Sequence, residues 1–169
     1  MAEELHAFLT GKFWLRLKDD VKDLRVFNKP DLVAAAYFHI RRLLLILPGW
    51  RCRVSVQLGP DEADLILLHN NSILVVLQLE SLLLHGDPSY LPTERLDESM
   101  RRLRQMVTET TGAGRSRGYL VGVFDSPEPW FFPEEAEPEK QTSFWLPVNC
   151  RDFPNYPEWR QRWERLARL

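Results

Sequence analysis

The stretch "ADLILLHNNSILVVLQLES", residues 63–81, decides how the chain is built. Two apolar runs rich in Ile, Val and Leu flank "HNN", and Asn accepts positive φ at low cost, so the segment predicts a β-hairpin with its turn near His69 to Ser72. Strand side chains alternate between faces. Leu74, Val76, Gln78 and Glu80 are therefore expected on one face, and Ile73, Val75, Leu77 and Leu79 on the other. Gln78 and Glu80 then project together near the strand end, and antiparallel pairing brings Asp64 alongside them.

Upstream, "RCRVSVQL" (51–58) alternates Cys52, Val54, Val56 and Leu58 with Arg51, Arg53, Ser55 and Gln57, which predicts a half-exposed strand turned into the hairpin by "GPDE". Asn28 and Pro30 signal the start of a helix over about Asp31 to Leu47, apolar nearly all round, sandwiched in the core and ended by Pro48 and Gly49. An amphipathic helix precedes it, with Trp14, Leu17, Val21 and Leu24 on its apolar face. Downstream, Leu96, Met100, Leu103 and Val107 recur at helical spacing before the terminators Gly112 and Gly114. "RGYLVGVFDS" is a fourth strand, reached through a helix and so expected parallel to the third. Residues 126–140, "SPEPWFFPEEAEPEK", form an acidic loop anchored by Trp130, Phe131 and Phe132. A last strand in "TSFWLPVNC" and a last helix presenting Trp159, Trp163 and Leu166 on one side complete the order ααβββαβ(loop)βα, an α/β (α+β) mixed sheet flanked by helices.

The 169 residues fit a single domain, 1–169. A net charge of −2 supplies no global basic field, so contact with a polyanion must come from local patches. Cys52 and Cys150 lack metal-ligand spacing and read as small buried residues. With no basic-then-apolar leader, a cytoplasmic setting is expected. The longest apolar segment is broken by His39, Arg41 and Arg42, which argues against a membrane span.

Asp64, Gln78 and Glu80 offer two carboxylates and an amide oxygen, hard ligands suited to Mg²⁺ or Mn²⁺, and an ion there would relieve the repulsion between the two acids. Such an ion can polarise a phosphoryl oxygen and activate water. Strand ends also carry polar residues simply because they emerge into solvent.

At these residues the chain resembles the PD-(D/E)XK, or restriction-endonuclease-like, phosphodiesterase superfamily. The resemblance covers about residues 31–125: helix, three strands, helix, strand, with an acidic residue opening the second strand and a polar-X-polar pair closing the third. It implies that Asp64 takes the place of the metal-binding Asp, Gln78 that of the second acidic ligand and Glu80 that of the lysine, with Asp64 and Glu80 as the metal pair. No lysine lies between Lys29 and Lys140. A relocated cation is therefore expected from Arg101, Arg102 or Arg104 on the following helix, which also read as phosphate contacts. Asp97, Glu98 and Glu109 on the same helix are their alternative partners. On the core helix only Asp31 could supply a further acid. Gln105, on the helix of Arg101 and Arg102, resembles a glutamine that some nuclease families of the superfamily use near the metal site, without the tyrosine that follows it there, and His69 and His85 read as exposed polar residues. The resemblance implies a metal-dependent nuclease acting on nucleic acid, or a pseudo-nuclease that keeps the fold as a nucleic-acid-binding or protein-interaction subunit, with a homodimer as one form of such interaction.

Overall fold

A computed structural model of the chain describes residues 2–83, 93–110, 116–127 and 141–168. The acidic loop from residue 128 onward with its three aromatics, His85, Gly112, Gly114 and Arg115 lie outside these residues. Strands β1 (Trp50–Leu58), β2 (Asp61–His69), β3 (Ser72–Ser81), β4 (Arg117–Phe124) and β5 (Ser143–Asn149) form one sheet in the order β1-β2-β3-β4-β5. β2 runs antiparallel to both β1 and β3, and β4 and β5 each run parallel to the strand before. The parallel β4 is the expected result of crossing over through a helix.

Helices cover both faces. On one side lie α1 (Ala2–Phe8), continued through a π-helical turn into α2 (Trp14–Lys22), together with α3 (Lys29–Leu44) and α5 (Tyr156–Leu166). They bury Phe13, Leu17, Val21, Leu32, Ile40 and Trp159 against Leu65, Leu77, Leu79 and Val121 of the sheet. α4 (Thr93–Thr110) covers the other side, packing Met100, Leu103, Met106 and Val107 on Ile66, Val76 and Leu120. Gly118 has to be glycine for this approach: a Cβ there would stand 2.8 Å from both Leu103 Cγ and Val107 Cγ2. The result is a mixed α/β fold with a five-stranded sheet between helices.

The hairpin forms as expected. Asn70 and Asn71 take φ of 50° and 67° between the paired His69 and Ser72, the signature of a two-residue type I′ turn. Simple alternation nevertheless fails at two places. The β2–β3 register shifts between Leu67 and Leu68, so Leu67 faces Val75, Leu68 faces Ile73 and Leu74 is an extra residue. This bulge turns Leu74 to the α3 side and Ile73 to the α4 side, the reverse of the periodic reading. In β1 the ladder passes over Ser55, whose φ is 51°, and its opposite residue Asp64. Trp50 and Cys52 therefore pack toward α3 while Val56 and Leu58 pack toward α4.

α3 ends at Leu44 rather than about Leu47, and it is not sandwiched. Leu32, Ala36, Ile40 and Leu44 are buried, while Phe38 is 55% exposed and the following Leu45 and Ile46 are 77% and 76% exposed. No further layer of described residues covers that side. Inside, His39 Nε2 lies 2.7 Å from Asp20 Oδ2, tying α3 to α2. Leu166 is also exposed, leaving Trp159 and Trp163 as the buried face of α5. Of the two free thiols, Cys150 is buried and Cys52 only half-buried.

Candidate functional site

β2 and β3 stop pairing after Leu65 and Leu77, whereas β3 stays paired with β4 as far as Ser81 and Val123. Asp64 fills the resulting gap: its Oδ2 accepts the Leu79 backbone N–H at 2.7 Å, a role a strand carbonyl would otherwise play. Its Oδ1 lies 3.0 Å from Lys29 Nζ, which is also 3.7 Å from Glu80 Oε1. Asp64 and Glu80 are thus brought together, bridged by a lysine from outside the hairpin.

Lys29 is placed by the start of α3. Asn28 caps the helix, its Oδ1 accepting the Asp31 N–H at 2.9 Å, and Asp31 Oδ2 accepts the Phe27 N–H at 3.0 Å. Asp31 is therefore committed to capping and does not join the site as an additional acid. Lys29, the first helical residue, reaches from the capped end to the opening in the sheet.

Glu80 is 5% exposed and fully engaged. Ser99 Oγ donates to Oε1 at 2.9 Å, and Arg95 donates to Oε2 from Nε at 3.2 Å and Nη2 at 2.9 Å. Arg95 and Ser99 are one turn apart on α4, so they meet the strand from the same side. Gln78 is buried and its Oε1 has no hydrogen-bond partner among the described residues. Burial holds the Asp64 carboxyl above its ordinary value; the Lys29 ammonium and the Leu79 N–H pull it down without cancelling that effect, and the Glu80 charge adds to the rise.

A divalent ion does not fit this arrangement as it stands. All four oxygens of Asp64 and Glu80 already accept from Lys29, Leu79, Ser99 or Arg95. Two acids facing two cations leave no net negative charge for the ion, and among the described residues no group of three or more His, Cys, Asp or Glu side chains is placed to hold a metal. The orphaned Gln78 amide oxygen is the one donor in the cluster not already used.

The cation that bridges Asp64 and Glu80 is Lys29, while Arg101 and Arg102 are engaged on α4 itself. Arg101 donates to Glu98 at 2.5 Å and 3.1 Å, and Arg102 donates to the same carboxylate at 2.7 Å while lying 3.9 Å from Asp61. Gln105 hydrogen-bonds Glu109 on the exposed face of the helix. Sequence reading missed Arg95, Ser99 and the role of Lys29. The signal for the first two was their four-residue spacing on the edge of the buried stripe. Lys29 had only its position at a capped helix start.

Beside the cluster, between α3 and the β1–β2 pair, lies a cavity of about 530 Å³ whose lining includes Lys29, Tyr37, Val54, Ser55 and Asp64. Among the described residues no helix is long and apolar enough to cross a membrane. No family model matches the chain, and no curated protein matches it. Among solved structures it is similar to SfsA of Pyrococcus furiosus in complex with Ca²⁺, with 16% identity and a TM-score of 0.35 over 80% of this chain. The match spans 53% of that protein, about half its length.

Proposed function

We propose that the chain binds nucleic acid without cutting it, as a nuclease-like fold whose catalytic position has become an internal ion-pair cluster. The observation that carries this reading is the saturation of Asp64 and Glu80 by Lys29, Arg95, Ser99 and the Leu79 N–H. Buried acids already held by matched cations offer little to an incoming ion. One fold carries many functions, and loss of an ancestral chemistry leaves the scaffold available for recognition.

Metal-dependent phosphodiester hydrolysis is the second reading. It is favoured by the lysine ammonium that Lys29 restores to the cluster and by the unused Gln78 Oε1. Purified protein is incubated with DNA and RNA in Mg²⁺ or Mn²⁺ beside an Asp64→Ala Glu80→Ala variant, and oligonucleotide binding is measured in parallel. The expected result is binding with no cleavage by either protein. Metal-dependent cleavage by the parent chain that disappears in the variant overturns the first reading in favour of the second.

A further inference from the structure

The helical path of α3 continues past Leu44. The Leu45, Ile46 and Leu47 N–H groups donate to the Arg41, Leu43 and Leu44 carbonyls at 3.1, 3.1 and 3.2 Å. Leu45 therefore stands one turn beyond Arg41, and Ile46 one turn beyond Arg42, each pair on one side of the helix. Pro48 and Gly49, the latter at φ 79°, then reverse the chain into β1. The Gly49 carbonyl accepts the Asn70 N–H at 3.2 Å, so this turn sits beside the β2–β3 turn at one end of the sheet.

Leu45 and Ile46 are consecutive, so their side chains leave the backbone about 100° apart. Each is nevertheless more than three-quarters exposed, and they are the most exposed large apolar side chains among the described residues. A side chain in a groove or on a flat face is shielded by its surroundings; two neighbours this open stand on a projection. Around it the charge has one sign. Neither of the two segments that meet there, 32–60 and 65–79, contains an Asp or Glu. Arg41 and Arg42 are exposed and, among the described residues, pair with no acid, whereas Arg101 and Arg102 are held by Glu98. Their neighbours are rings, with guanidinium carbons 6.0 Å from the centre of Tyr37 and 5.6 Å from that of Phe38.

Four residues of helix carry the chain from the arginines to the apolar pair, a rise of about 6 Å. An apolar tip with cations that far behind it matches the layering of an anionic bilayer, in which interfacial elements bury their apolar side chains ~5–10 Å deep beneath the phosphates. A protein partner would have to supply a concave wall of opposite charge, whereas a bilayer closes round a convex tip.

We propose that the α3–β1 turn docks the chain on the surface of an anionic lipid membrane, with Leu45 and Ile46 entering the acyl boundary and Arg41 and Arg42 meeting headgroup phosphates. The contact is peripheral and reversible, and it stands independently of the nucleic-acid-binding reading. The test is co-sedimentation of the full chain with vesicles of phosphatidylcholine alone and of equal parts phosphatidylcholine and phosphatidylglycerol.

The chain should sediment with the mixed vesicles and not with phosphatidylcholine alone. Arg41→Ala Arg42→Ala should weaken binding roughly 25-fold, about fivefold for each arginine at an anionic surface. Leu45→Ser Ile46→Ser should weaken it roughly 100-fold or more through lost apolar burial. Leu45→Trp, which keeps an apolar tip, should bind at least as tightly as the parent. Arg162→Ala Arg165→Ala, which removes two exposed arginines of α5, should match the parent. Binding to mixed vesicles that survives Leu45→Ser Ile46→Ser means that the arginines answer any polyanion and overturns the inference, as does equal binding to phosphatidylcholine alone. A parent dimer, seen by light scattering, that Leu45→Ser Ile46→Ser converts to monomer gives the projection to a second copy of the chain and also overturns it. Failure of the parent to bind mixed vesicles overturns it and leaves the nucleic-acid reading standing.

Discussion

Replacing Lys29 by Met keeps a straight side chain of similar reach and removes the charge that bridges Asp64 and Glu80. The Lys29 side chain is 33% exposed, whereas those of Asp64 and Glu80 are 13% and 7% exposed. Breaking a buried pair costs about 3–5 kcal/mol, because the partner is left charged and unpaired. A lysine open to solvent over a third of its surface recovers part of that loss through screening, which brings the expected cost to about 2 kcal/mol. In a chain of this length that lowers Tm by about 4–8 °C. The cost carries a pH signature. Lys29 pulls the Asp64 carboxyl down, so its removal leaves that group still further above its unfolded value. An acid raised in the folded state contributes stability that is present below its unfolded pKa, about 3.9, and lost as pH rises through the folded value. The difference between Lys29→Met and parent should therefore be small near pH 4 and reach its full size by about pH 7.5, as read from urea midpoints at both. A deficit of equal size at both pH values would refute the assignment of the lysine to these carboxylates. Adding Mg²⁺ or Mn²⁺ extends the experiment: selective recovery of the variant would mean that the lysine occupies the place of a cation.

Two further substitutions probe the frame around the site. Gly118→Ala places a methyl group against Leu103 and Val107 and should cost about 1–3 kcal/mol by pushing α4 off the sheet, measured as a shift of the urea midpoint with unchanged slope. Asp125, its side chain 3% exposed at the end of β4, accepts from Arg151 Nε at 2.9 Å, Arg160 Nη1 at 3.0 Å and the Tyr156 hydroxyl at 2.7 Å. Asp125→Ala should destabilise by about 3–5 kcal/mol and release α5, seen as early amide exchange around Trp159.

The sequence shows most where neighbours in the chain decide the outcome. The α4 stripe of Leu96, Met100, Leu103 and Val107 is buried as its spacing requires, and Asn70 and Asn71 make the turn their tolerance of positive φ allows. It shows least where two distant segments meet. The bulge at Leu74 depends on how β2 and β3 twist together, and no periodic pattern encodes an inserted residue. The exposure of Leu45 and Ile46 reflects the absence of a covering layer among the described residues, which an apolar run does not announce. Asp64 and Glu80 were legible as a pair because one hairpin holds both. Their cation was not, because Lys29 arrives through the docking of α3 on the sheet. The Arg101 and Arg102 interactions with Glu98 are a local matter of three- and four-residue spacing, and that spacing was visible from the start.

The break at Ser55 also bears on strand addition at the open edge of the sheet. β1 is an edge strand, and an edge strand with a long straight run of free backbone groups invites another chain to add to the sheet. Ser55 turns into the left-handed region midway along Trp50–Leu58, so the strand changes the face it presents before an incoming strand could pair along its length. Arg51 and Arg53 put like charges on the straight half, opposing alignment with a second copy of the same edge. The irregularity that frees Asp64 from the ladder thus leaves the open side of the sheet a poor template for fibrous assembly.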